Sequence, residues 1–108
     1  MIITGGSNVY PVEVEGVLRS HPSIQDVCVV GLPDRSWGEI VAAAVVPVAG
    51  SALDEEEIVR FAAQRLASYK RPRQFVLVDD LPRNAYGKIV GAAVRDLFIR
   101  AGSSRVES

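Results

Sequence analysis

Glu39-Ile40-Val41-Ala42-Ala43-Ala44-Val45-Val46-Pro47-Val48 holds an unbroken apolar run from Ile40 to Val46. A strand with one wet face alternates apolar and polar residues, whereas a strand covered on both faces does not. The alanines also permit helix. The Val and Ile content and the turn residues on either side favour strand. The run therefore predicts a sheet strand with other elements packed over it.

Working outward, Ile24 to Gly31 reads as a second Val-rich strand, joined to the first by the loop Leu32-Pro33-Asp34-Arg35-Ser36-Trp37-Gly38. After the turn Ala49-Gly50-Ser51, Asp54 with Glu57 gives a helix N-cap and capping box. Ile58, Phe61, Ala62 and Leu66 mark one face of that helix. Tyr69-Lys70-Arg71-Pro72-Arg73 is a basic connector, Phe75 to Val78 a short strand, and Ile89 to Arg100 a helix with Val90, Val94, Leu97 and Phe98 on one face. Ala101 to Ser108 is expected to fray. Towards the N-terminus, Ile2-Ile3-Thr4 and Asn8-Val9-Tyr10 flank Gly5-Gly6-Ser7, a glycine hairpin signal. Pro11 suits the first position of a helix that Pro22 ends. The expected fold is α+β: one small sheet of roughly three strands with helices packed on it, plus an N-terminal glycine hairpin.

At 108 residues the chain fits one domain, residues 1–108. The formal net charge of −1 points to neither nucleic acid nor an anionic membrane. No apolar run approaches the roughly 20 residues of a membrane helix. One His and one Cys give no metal-ligand cluster, so no metal site is expected in this chain. His21, before Pro22 at a helix end, reads as a surface residue. Cys28, inside Val27-Cys28-Val29-Val30, reads as a buried small hydrophobe. With no signal peptide in view, a reducing, cytoplasmic setting is expected.

Four segments could carry chemistry. Pro82-Arg83-Asn84-Ala85-Tyr86-Gly87-Lys88 delivers a lysine on a flexible polar loop, to which the flanking glycine adds mobility, suited to an anion that arrives and leaves. Taken alone, it equally fits a solvated surface lysine. Gly5-Gly6-Ser7-Asn8 lets another group approach the main chain closely, but by itself reads as a hairpin turn. Lys70-Arg71-Pro72-Arg73 is either a patch for a phosphorylated ligand or, more simply, a solvated connector at a helix end. Trp37 is either a lid over the core or a flat surface for a ring to stack on, and spacing does not separate the two.

In their order and spacing, these segments resemble the C-terminal domain of the adenylate-forming superfamily, which includes acyl-CoA synthetases and nonribosomal-peptide adenylation domains. The resemblance runs from Ile2-Ile3-Thr4-Gly5-Gly6-Ser7-Asn8-Val9-Tyr10-Pro11-Val12-Glu13-Val14-Glu15 through Val29-Val30-Gly31-Leu32-Pro33-Asp34, Trp37-Gly38-Glu39 and Tyr69-Lys70-Arg71-Pro72 to Pro82–Ile89. It implies a two-step reaction: a carboxylate and ATP form an acyl-adenylate, and a thiol, usually that of CoA, then displaces AMP. By this resemblance Lys88 is the catalytic lysine of the first step and contacts the nucleotide. Asn8 lies near the nucleotide. Gly5, Gly6 and Ser7 line the thiol's approach, and Trp37, Arg71 and Arg73 lie towards the nucleotide end of CoA. ATP and Mg2+ would be held mainly by an N-terminal domain of the same ligase, which this chain does not contain. The chain is thus expected to be the lid domain of a longer enzyme, inactive by itself. Tyr86, Ser7 and Gly91 depart from the residues common in the family and blur the subfamily. A carrier-loading adenylation domain and a stand-alone interaction module are the rival readings.

Overall fold

A computed structural model describes residues 1–100 and 104–105. In chain order the elements are β1 (Ile2–Thr4), β2 (Ser7–Val9), α1 (Pro11–Arg19), β3 (Ile24–Asp34), β4 (Gly38–Pro47), α2 (Glu55–Arg65), β5 (Gln74–Leu77), α3 (Gly91–Arg100) and β6 (Ser104–Arg105). A short 3-10 turn, Ser68–Lys70, precedes β5. The class is α+β, as the sequence predicts. The three expected strands lie side by side in one sheet, in the order β3, β4, β5. β4 pairs antiparallel with β3 along its whole length and parallel with β5. The glycine hairpin β1–β2 joins the same sheet through Thr4 opposite Gly38, and β6 pairs with β5. Of the tail expected to fray, Ser104–Arg105 is this strand, and 101–103 and 106–108 lie outside the described residues.

The unalternating run is explained by burial on both faces. Val41, Ala43 and Val45 face one core with Val27, Val29, Leu18, Ile58 and Phe75, under α1 and α2. Ala42, Ala44 and Val46 face a second core with Cys28, Val30, Leu81, Val94 and Phe98, under α3. Each buried Val, Leu or Phe contributes roughly 1.5–3 kcal/mol over exposure. The alanines of β4 let both layers of helices approach closely.

Two expectations are corrected. Leu32-Pro33-Asp34 is not loop but the end of β3, paired with Ile40, Glu39 and Gly38. Pro33 is tolerated because β3 lies at the sheet's edge. Val27 and Val29, of the same parity, turn their N–H groups away from β4 to side chains, so the missing N–H of Pro33 costs no ladder bond. His21 is not a surface residue but is buried, at 6% exposure. Its Nδ1 accepts from the Ser23 N–H at 3.0 Å, and its Nε2 lies 2.6 Å from Glu57 Oε2. Its ring meets Phe61 edge-on with centroids 4.8 Å apart. The bonds assign the proton to Nε2 and let the ring join the end of α1 to the first turn of α2. The Asp54 carboxylate caps α2 by accepting from Glu57 N at 2.9 Å, while the Glu57 carboxylate turns to His21.

Candidate functional site

The lysine loop is a closed turn. Asn84 N donates to Lys88 O at 2.8 Å, and Gly87 N to Asn84 O at 3.0 Å. The Asn84 side-chain oxygen accepts from Tyr86 N at 2.9 Å and Lys88 N at 3.1 Å. Gly87 has φ of 82°. The glycine therefore supplies the left-handed conformation the turn requires, rather than looseness. Arg83 pairs with Ile89 across the neck, and Val90 N donates to Pro82 O at 3.0 Å. α3 accordingly starts at Gly91, two residues later than the sequence suggests. Lys88 and Tyr86 stand exposed at the tip.

The glycine hairpin is a two-residue turn with φ of 56° at Gly5 and 83° at Gly6, as such turns demand. Ser7 pairs with Thr4 and Asn8 with Ile3, and Asn8 is exposed. Ile3 N donates to Glu39 Oε1 at 2.9 Å, and Gly5 N to Trp37 O at 2.8 Å. The hairpin is thus held on the β3–β4 turn. That turn is itself set by Asp34, whose Oδ2 accepts from Ser36 N and Trp37 N. The Trp37 ring lies against Gly5 and is 41% exposed, with the Arg73 guanidinium 4.5 Å from its centroid. It is a surface platform and not a lid over the core.

The basic connector divides. Arg71 donates to Leu66 O at 2.9 Å and Ala63 O at 3.2 Å, satisfying carbonyls at the end of α2. Lys70 Nζ lies 2.9 Å from Glu13 Oε2, and that bond raises its pKa above the usual lysine value. Pro72 is buried. Of the four residues, Arg73 is the one at Trp37. Gly5, Trp37 and Arg73 are therefore brought together, while Arg71 is engaged at the helix end.

The two motifs are anchored at opposite ends of β3. Arg83 Nη2 meets Asp26 Oδ2 at 2.6 Å near the strand's start. The hairpin is fixed beside Asp34 and Gly38 at its end. Eight strand steps from Asp26 to Asp34 amount to about 26 Å. Asp26 and Glu39 hold the two motifs to the sheet, and the sequence reading missed both. Their partners Arg83 and Ile3 lie far off in the chain, so no local pattern signals them.

Residues 13–88 match the model of the AMP-binding enzyme C-terminal domain. Over 100 residues the chain is 46% identical to an indoleacetate–CoA ligase of Aromatoleum aromaticum, covering 93% of this chain and 20% of that protein. A Mycobacterium tuberculosis fatty acyl CoA synthetase superposes with a TM-score of 0.83 at 44% identity, over 91% of this chain and 19% of that one. ATP-bound MatB from Rhodopseudomonas palustris superposes with a TM-score of 0.86 at 36% identity, over 92% and 20%. The chain spans about a fifth of the length of the curated relatives it matches. With the lysine loop and the glycine hairpin in place on this sheet, the chain belongs to the AMP-binding enzyme C-terminal domain family.

Proposed function

We propose that this chain is the lid of an ATP-dependent acid–CoA ligase and serves its two half-reactions with its two ends. The observation that carries this reading is the separation of the lysine loop from the glycine hairpin along β3. One reaction centre cannot meet both at once, so the domain turns between steps. In the first step a carboxylate oxygen bonds to the α-phosphorus of ATP and the bond to pyrophosphate breaks. Lys88 offsets the negative charge crowded there, a preorganised electrostatic role. In the second step the CoA sulfur bonds to the acyl carbon and AMP leaves. Gly5, Gly6 and Ser7 line the thiol's path, where a bulky side chain would obstruct it. Asn8 lies near the nucleotide, and Trp37 with Arg73 offers an aromatic and cationic surface to the nucleotide end of CoA.

ATP and Mg2+ belong in this reading to an N-terminal partner domain. Among the described residues there is no group of three or more His, Cys, Asp or Glu side chains suited to a metal ion. The relatives' names favour CoA over a carrier protein as acceptor. In the ligase carrying this chain, Lys88→Ala abolishes pyrophosphate release on adenylation and spares thioester formation from supplied acyl-adenylate. Equal loss of both half-reactions counts against the role.

A further inference from the structure

The lysine loop is rigid within itself, but internal bonds do not fix it relative to the sheet. A closed turn on a two-residue neck still swings as a body, and Lys88 Nζ lies at the end of four methylenes beyond it. Beyond the packing of Leu81 and Ile89 at its base, the tie from the loop to the sheet is Arg83. One guanidinium nitrogen donates to Gly87 O at 3.2 Å, and the other to Asp26 Oδ2 at 2.6 Å. A planar fork suits this double duty, since both bonds fix one plane. Gly87 immediately precedes Lys88, so the fork grips the loop at the point where the lysine emerges.

Asp26 is held in turn. Its Oδ1 accepts from Val27 N at 2.8 Å and from Arg19 Nη2 at 3.2 Å, and Arg19 also donates to Val27 O at 3.1 Å. The register of β3 against β4 shifts between Ile24 and Asp26. A bulge of this kind re-aims side chains, and the register after it puts Asp26 on the face of Cys28 and Val30, where Leu81 and Ile89 at the base of the loop also pack. A continuous chain of bonds therefore runs from Arg19 at the end of α1, through Asp26 and Arg83, to Gly87 and Lys88. Asp26 is 24% exposed in these pairs, so their effect on stability is small and their value is geometric.

We infer that Asp26 and Arg83 are positioning residues for Lys88, locking the lysine loop to β3 so that the ammonium arrives at a set point when the domain closes for adenylation. This rests on the reading of Lys88 as the adenylation lysine. A displacement of an ångström at a reacting centre is worth up to about 100-fold in rate. In the ligase carrying this chain, Asp26→Asn and Arg83→Ala should lower adenylation by roughly 10- to 100-fold through kcat, with the KM for ATP little changed and thioester formation from supplied acyl-adenylate kept. Asp26→Glu, which keeps the charge, should recover most of the loss. Equal loss in both half-reactions, or full adenylation activity in Asp26→Asn, overturns the proposal. Backbone nitrogen-15 relaxation on the same variants reads the swing of the loop without activity. The order parameters of Gly87 and Lys88 should fall from the rigid-backbone range of about 0.85 towards about 0.6 in Asp26→Asn, with α1 and β4 unchanged, and unaltered values overturn the proposal. If Lys88→Ala leaves adenylation intact, the functional reading falls, while the relaxation result still decides whether Asp26 holds the loop.

Discussion

The ring of Trp37 lies against the α-carbon of Gly5, so closely that a β-carbon there would sit 2.7 Å from Cε3. The contact joins the glycine hairpin to the β3–β4 turn and leaves a side chain at Gly5 no room unless the indole moves. At Gly6 an added β-carbon would meet nothing within 4 Å, so that position has room but shares the positive φ.

The two glycines therefore separate by substitution. Gly6→Ala should cost about 1 kcal/mol, the penalty of a left-handed residue. Gly5→Ala adds displacement of the indole and should cost about 2 kcal/mol or more, with loss of the thioester half-reaction. Urea unfolding of both variants checks this, and equal costs would exclude a role for the Trp37 contact.

Trp37→Ala removes the partner of both Gly5 and Arg73. If the ring also serves the CoA nucleotide, KM for CoA rises while adenylation holds. Trp37→Phe should restore part of the effect. An unchanged KM for CoA in both variants would leave the ring a purely structural buttress.

Asn84→Ala deletes the acceptor of two amides in the lysine loop. Each lost bond is worth about 1 kcal/mol locally, and the loop is exposed, so global stability should hardly move. Adenylation should fall by about 10-fold, since the turn carrying Lys88 loosens. Asn84→Asp, which keeps the acceptor oxygen, should retain most activity. Half-reaction rates beside a thermal melt test the split.

Burial first, then the negative charges of Glu15 and Asp26, pushes the Cys28 thiol up to about 11 from an ordinary 9.0. The folded thiol keeps its proton where the unfolded one has lost it. Its contribution to stability is therefore complete below pH 9.0 and is lost as pH rises towards 11. The loss amounts to roughly 2 kcal/mol over that interval. Urea unfolding of the native chain and of Cys28→Ala at pH 8 and pH 11 should show this difference in pH dependence, and parallel curves would contradict it.

The join between α1 and α2 rests on one ring. His21→Ala removes the contact with Phe61 and leaves Ser23 N without its acceptor. A loss of about 2–3 kcal/mol is expected. Asp54→Ala, which removes only the cap of α2, should cost about 1 kcal/mol. Thermal unfolding of both variants ranks them.

The central strand was legible because burial on both faces writes itself as a run without alternation, and Ile40 to Val46 is such a run. The glycine hairpin was legible as a turn because Gly5 and Gly6 answer a local demand of the backbone, whereas Gly87 was misread as a source of mobility because the bonds of Asn84 that close its turn leave no mark in the sequence. His21 was misread because its burial comes from Phe61 and Glu57, which lie on another helix. Pro33 was misread as loop because a proline shows no sign in sequence that its missing N–H would face an open sheet edge.

Periodicity, turn chemistry and motif order determined the class of fold, the positions of its strands and helices, and the family to which the chain belongs. Turns, caps and strands follow from residues within one turn or one strand of each other, and the family from the order of motifs between Ile2 and Ile89. Only the tertiary structure decided that the hairpin and the lysine loop sit at opposite ends of β3, that Arg71 caps a helix while Arg73 meets Trp37, and that Asp26 holds Arg83. Those relations join residues tens of positions apart, and they depend on how the sheet brings distant segments side by side.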